Sequence, residues 1–126
     1  MTTNEILIFI GSGLIILWGI AHLVPTKNIV NGFGNISTDN KKIIAMESIA
    51  EGLTLIFLGV LPLLIVRLEN PVSYAARIVV LSCAVMLLII ALLTLFTGAR
   101  TPTIWYKICP VVKTVVAVLF ILSVML

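Results

Sequence analysis

Four long apolar runs, near 6–24, 43–66, 78–97 and 105–126, alternate with short polar stretches. The first, Ile6 to Val24, is about 28 Å long as a helix, close to the roughly 30 Å hydrocarbon thickness of a bilayer. Pro25 closes it. The second contains Glu47, Glu51 and a late Pro62, and is bounded by Arg67, Glu69, Asn70 and Pro71. The third, IVVLSCAVMLLIIALLTLFT, has neither charge nor glycine, which suits a helix with much lipid exposure; Gly98, Arg100 and Pro102 close it. The fourth opens on Trp105 and Tyr106, side chains suited to the aromatic belt of a membrane interface, and carries Pro110 and Lys113. In hydrocarbon every backbone polar group needs an internal partner, so spans of this length predict helices. The expected fold class is all-α: an integral membrane four-helix bundle, one transmembrane domain over 1–126.

The longest polar stretch is 25–42, PTKNIVNGFGNISTDNKK, whose asparagines and glycines predict a loop. Ile29, Val30, Phe33 and Ile36 recur within it at helix-like spacing, which suits a short interfacial or re-entrant turn. Ser37, Thr38 and Asp39 offer caps for the helix that follows.

Composition agrees with the pattern. Of the 126 residues, 61% are apolar and 10% charged, against roughly 45–50% and 25% in a soluble domain. So short and apolar a chain cannot cover its own surface in water, and the expected partner is the lipid bilayer. The net charge is +3. The basic residues are dispersed at span ends and do not form the concentrated footprint that nucleic acid requires. No Lys or Arg precedes the first apolar run, and Glu5 does, so this run reads as a retained span and not as a signal peptide. Lys27, Lys41, Lys42, Arg100, Lys107 and Lys113 lie in or beside the first and third loops, whereas the second holds only Arg67 and Arg77. That bias predicts the first and third loops on the cytoplasmic side of the cell (inner or plasma) membrane, with both termini non-cytoplasmic.

The candidate chemistry is sparse. His22, Glu47, Glu51 and Lys113 are ionisable side chains within spans, where a charge costs at least about 2.5–3.5 kcal/mol. Counted from the span ends, all four fall in one layer of the cytoplasmic half. Glu47 and Glu51, at i and i+4, share a helix face; Trp18 sits one turn from His22. These five residues are the candidates for binding a ligand or proton, with Glu51 expected to face the interior and to take its nearest polar partners from His22 or Glu47. Each also has a plainer reading. His22 can bond backbone at the interface, Lys113 can snorkel to headgroups, and Glu47 can be solvated. A metal site of His22, Glu47 and Glu51 is chemically feasible, but three scattered residues do not define one. Cys83 and Cys109 match no metal spacing and read as small hydrophobes; Cys83 near the outer end of the third span and Cys109 near the inner end of the fourth are expected farther apart than the ~7 Å Cα limit of a disulfide. Gly11, Gly19, Ser48, Gly52 and Gly59 suit close helix contact. No phosphate-binding loop, nucleophile elbow or HExxH is present, and a single histidine excludes bis-His haem within one chain.

The size, the four spans, the GIAHL end of the first span and the EGLTLIFLG stretch of the second resemble the small four-helix bacterial membrane proteins of the broad DoxX-like group. Some members of that group are linked to redox or stress pathways as accessory subunits, and no site residue is transferred from it. Three functions remain open: binding or transport of a small molecule, ion or proton, for which four helices imply a homo-oligomer; a non-catalytic subunit or scaffold beside a partner membrane subunit; and an enzyme acting on a lipidic substrate with His and Glu as acid and base.

Overall fold

The helices start at their caps, several residues before the apolar runs begin. In the computed structural model, which describes residues 1–126, Thr2 caps α1 (Thr3–Leu23) in a reciprocal box with Glu5. Ser37 Oγ accepts from Asn40 N–H to open α3 (Thr38–Leu68), and Ser73 Oγ from Ala76 N–H to open α4 (Tyr74–Phe96). Each cap satisfies a donor that the first helical turn leaves unpaired. Two elements fill the remaining chain: α2 (Thr26–Asn31), and α5 (Ile104–Met125), which follows a 3₁₀ turn at Gly98–Arg100. There are no strands, and four helices are long and apolar enough to cross a membrane. The protein is an all-α four-helix bundle of membrane character.

The stretch 25–42 is more ordered than a loop. Thr26 Oγ1–H donates to the carbonyl of Leu23 at 2.9 Å and tethers α2 to the end of α1. Val30 is buried, and α2 packs on α3. The chain then reverses through Gly34, whose φ of +73° suits a residue without Cβ. The helix-like spacing of Ile29 and Val30 thus becomes a short helix packed on α3, while Phe33 falls in the turn that follows it. At 31 residues, α3 is about 46 Å long, so its first turns, with Asp39, Lys41 and Lys42, project past the apolar layer.

Around the bundle the order is α1, α3, α4, α5: α1 packs on α3 and α5, α4 on α5, and α3 meets α4 over a smaller contact. α3 and α5 are therefore diagonal. The interior holds Ile8, Ile15, Leu55, Leu58, Val80, Leu87, Val116 and Phe120, all buried. Large apolar side chains cover the outside as well: Leu17, Phe57 and Leu93 are each more than half exposed. An apolar exterior of this kind is stable in lipid and a liability in water. In membranes helices gain little from hydrophobicity against each other and associate through close packing. Here α1 and α3 approach so closely that a Cβ on Gly19 would lie 2.8 Å from the Gly52 carbonyl oxygen, and one on Gly52 would lie 2.9 Å from that of Gly19.

Candidate functional site

The polar cluster lies at the bundle end that carries α2 and the 3₁₀ turn. It draws on all four spans: Trp18 and His22 near the end of α1, Glu51 on α3, Thr94 near the end of α4, and Cys109 and Lys113 on α5. Two pairs within it follow from helical periodicity. Trp18 and His22, and Cys109 and Lys113, are each i and i+4, so each pair shares one face of its helix.

Lys113 is the deepest member, 0% exposed. Its ammonium reaches across the diagonal of the bundle to Glu51 Oε1 and also donates to Thr94 Oγ1 at 2.9 Å. Thr94 in turn donates to the Ile90 carbonyl, so its hydroxyl presents a lone pair to Lys113. The other carboxylate oxygen of Glu51, Oε2, lies 4.0 Å from His22 Nδ1. The opposite edge of the imidazole, Nε2, lies 3.4 Å from Cys109 Sγ, and the Trp18 indole N–H donates to that sulfur at 3.2 Å. The Trp18 and His22 rings meet edge to face with centroids 6.0 Å apart. A polar path therefore runs Thr94–Lys113–Glu51–His22–Cys109–Trp18, broken by the 4.0 Å gap between Glu51 and His22; elsewhere the interior buries only two polar side chains, Ser12 and Ser123.

Two concavities meet this path. A groove of about 530 Å³ opens between α3 and α4, where the bundle is least tightly closed. Its walls are mostly apolar, with Ile43, Met86, Ile89 and Leu93, and carry Glu47, Ser48, Thr54 and Thr97 as well, while Glu51, His22, Thr94 and Tyr106 form its polar floor. A smaller cavity of about 330 Å³ lies on the other side of His22, between Trp18, Trp105, Tyr106 and Pro25. His22, Ile29 and Tyr106 belong to both and separate them.

No family model, no curated protein and no solved structure matches this chain. The chemistry of the site must carry the reading.

The structure brings His22, Glu51, Lys113 and Trp18 together and leaves Glu47 out. Glu47 is exposed, one turn nearer the bundle end than Glu51, and touches only the outer part of the groove. The expected partners of Glu51 are corrected accordingly: Lys113 binds it directly, His22 stands 4.0 Å away, and Glu47 makes no hydrogen bond to it. Lys113 does not snorkel, because its position on α5 points it at the bundle axis. Cys109 is not merely a small hydrophobe; its sulfur lies between Trp18 and His22. The i, i+4 pairing of Cys109 with Lys113 was the available signal. Thr94, at the end of a nearly featureless span, gave none. Cys83 is buried in the apolar core, and both thiols are free.

Proposed function

We propose that this protein binds a small lipid-soluble molecule with a hydrogen-bonding head, seated in the groove between α3 and α4. The observation that carries the reading is the shape of that groove, which joins apolar walls to a floor holding Glu51, His22, Thr94 and Tyr106. Pockets that take small molecules combine a mostly apolar lining with a few placed polar groups. The floor groups stay within a membrane-spanning layer at a substantial energetic cost, which a purely structural bundle avoids. The opening lies along the α3–α4 contact, so a molecule dissolved in the bilayer reaches it laterally.

Native mass spectrometry of the protein released from its own membrane tests this. The wild type should carry one small organic molecule per chain. Ala50→Phe, which fills the groove from the α3 wall, and Glu51→Gln, which keeps the shape but removes the charge, should each lose it while retaining the helical spectrum. A wild-type protein free of any bound organic mass, or bound mass unaffected by Ala50→Phe, would overturn the reading.

The same reading places the groove end on the cytoplasmic side, with both termini opposite. Its support is the gathering of Lys27, Lys41, Lys42, Arg100 and Lys107 at that end. Cysteines added at either terminus, in a chain lacking Cys83 and Cys109, should be labelled by an impermeant maleimide on intact cells. Labelling only after permeabilisation would reverse the topology. On this reading the chain belongs beside the DoxX-like four-helix proteins; the two motifs of that resemblance hold His22 and Gly19 in one, and Glu51, Gly52 and Gly59 in the other.

A further inference from the structure

The three residues at the centre of the path, His22, Glu51 and Cys109, come from three different helices. Each offers one ligating atom, and those atoms lie within 4.8 Å of one another. The set is an imidazole nitrogen, a carboxylate oxygen and a sulfur. In a tetrahedral zinc site, bond lengths of 2.0–2.3 Å put neighbouring ligand atoms roughly 3.4–3.6 Å apart. The Nε2 to Sγ distance of 3.4 Å already has that value. One imidazole gives an ion one nitrogen: the 3.4 Å contact uses Nε2, whereas Glu51 Oε2 faces Nδ1 at 4.0 Å, so the Glu51 side chain has to turn toward the Nε2 edge, or the His22 ring to flip, before all three surround one ion.

We propose that His22, Glu51 and Cys109 bind a divalent transition-metal ion of the zinc class at the floor of the groove. This deepens the ligand-binding reading and rests on the same cluster. Binding breaks the Cys109 S–H bond, passes its proton to water and forms a metal–sulfur bond. Thiolate and carboxylate then carry two negative charges against the two of the ion and the one of the Lys113 ammonium, so the site keeps one net positive charge that an anionic fourth ligand would neutralise.

The surroundings suit such a site. Lys113, fixed by Thr94, occupies Glu51 Oε1 and leaves Oε2, which carries no hydrogen bond from the chain, turned toward His22. The Trp18 indole donates to the sulfur and steadies it as a thiolate. Groups that hold metal ligands from behind in this way set their orientation and basicity. Glu51 and His22 line the groove and give the ion a way in. Three protein ligands leave a fourth position, which is the arrangement that accepts an exogenous molecule. The main competing use of these residues is a thiol nucleophile with His22 as base. Cys109 is 1% exposed and lines neither concavity. An ion entering past His22 and Glu51 reaches the sulfur, whereas the reacting carbon of a substrate does not.

Titration of the detergent-solubilised full chain, stripped with chelator, with Co²⁺ tests the proposal. One equivalent should produce the near-ultraviolet thiolate-to-cobalt charge-transfer band, and Zn²⁺ should abolish it. Cys109→Ser, close in size and so tolerated by the packing, should lose the band; Cys83→Ala should keep it. Trp18→Phe, which removes the donor to sulfur and part of the ring that packs on His22, should weaken the Co²⁺ affinity by roughly 10–100-fold. No band in the wild type, or a band that survives Cys109→Ser, overturns the metal site. The chelator-stripped protein is also run by native mass spectrometry. An organic molecule retained without any metal response leaves the groove reading standing and removes the metal alone; loss of both removes both.

Discussion

Glu51→Leu should destabilise the bundle by about 3–5 kcal/mol, because it leaves the Lys113 ammonium buried without its counter-charge. Lys113→Met should cost less, since the Glu51 side chain is 30% exposed toward the groove and Lys113 is not exposed at all. The double variant Glu51→Leu/Lys113→Met should recover most of the loss. Buried ion pairs replaced together by apolar residues of similar size are often neutral or stabilising by about 1–4 kcal/mol. Thr94 would not be stranded, because its hydroxyl keeps its bond to the Ile90 carbonyl at 2.9 Å. Unfolding of the four proteins in one detergent, by circular dichroism against increasing denaturing surfactant, gives the cycle. A double variant as unstable as Glu51→Leu alone would mean that the pair is not the coupled unit described here. A double variant that folds well but carries neither organic molecule nor metal would place the value of the pair in binding and not in stability.

The layout of the bundle was legible because lipid imposes it. Four apolar runs of bilayer length allow few other solutions, and their phase relative to each other is not needed to find them. The site required that phase. Glu47 and Glu51 lie on one face of α3, yet only Glu51 falls level with Lys113; one turn nearer the end, α3 and α4 part and Glu47 meets the open groove. Lys113 is roughly two and a half turns into α5, a depth from which the stem of a lysine reaches either headgroups or a diagonal carboxylate. Only the rotation of α5 decides between them. Cys109 shares that ambiguity, since a thiol suits lipid and imidazole alike. The boundaries moved outward for a local reason. Helices begin where Thr2, Ser37 and Ser73 can cap them, and these residues stand a few positions ahead of the first apolar one. Within 25–42 the spacing of Ile29 and Val30 pointed to a short turn, and α2 forms there, six residues that gain their stability from packing on α3 and not from their own propensity.

Gly19→Ala should destabilise the protein by about 1–3 kcal/mol, the usual range for overpacking. The added Cβ would meet backbone on α3, 2.8 Å from the Gly52 carbonyl oxygen and 3.0 Å from the Ile56 nitrogen, and backbone cannot rotate away. Gly13→Ala is the control: nothing lies within 4 Å of its Cβ position, so the change should stabilise α1 by at most about 1 kcal/mol through helix propensity. The position of Gly19 adds a second consequence. It lies between Trp18 and His22, and Gly52 follows Glu51, so this close approach of α1 and α3 also sets the distance from His22 to Glu51. Gly59→Ala makes a comparable collision, 2.9 Å from the Ser12 carbonyl oxygen, two turns further along α3 and away from the cluster. Both variants should therefore lose stability to a similar extent, while only Gly19→Ala should weaken Co²⁺ binding and release the groove ligand. Equal effects of the two on binding would show that bundle stability alone governs the site. A Gly19→Ala protein as stable as the wild type would show that α1 and α3 do not meet at Gly19 and Gly52.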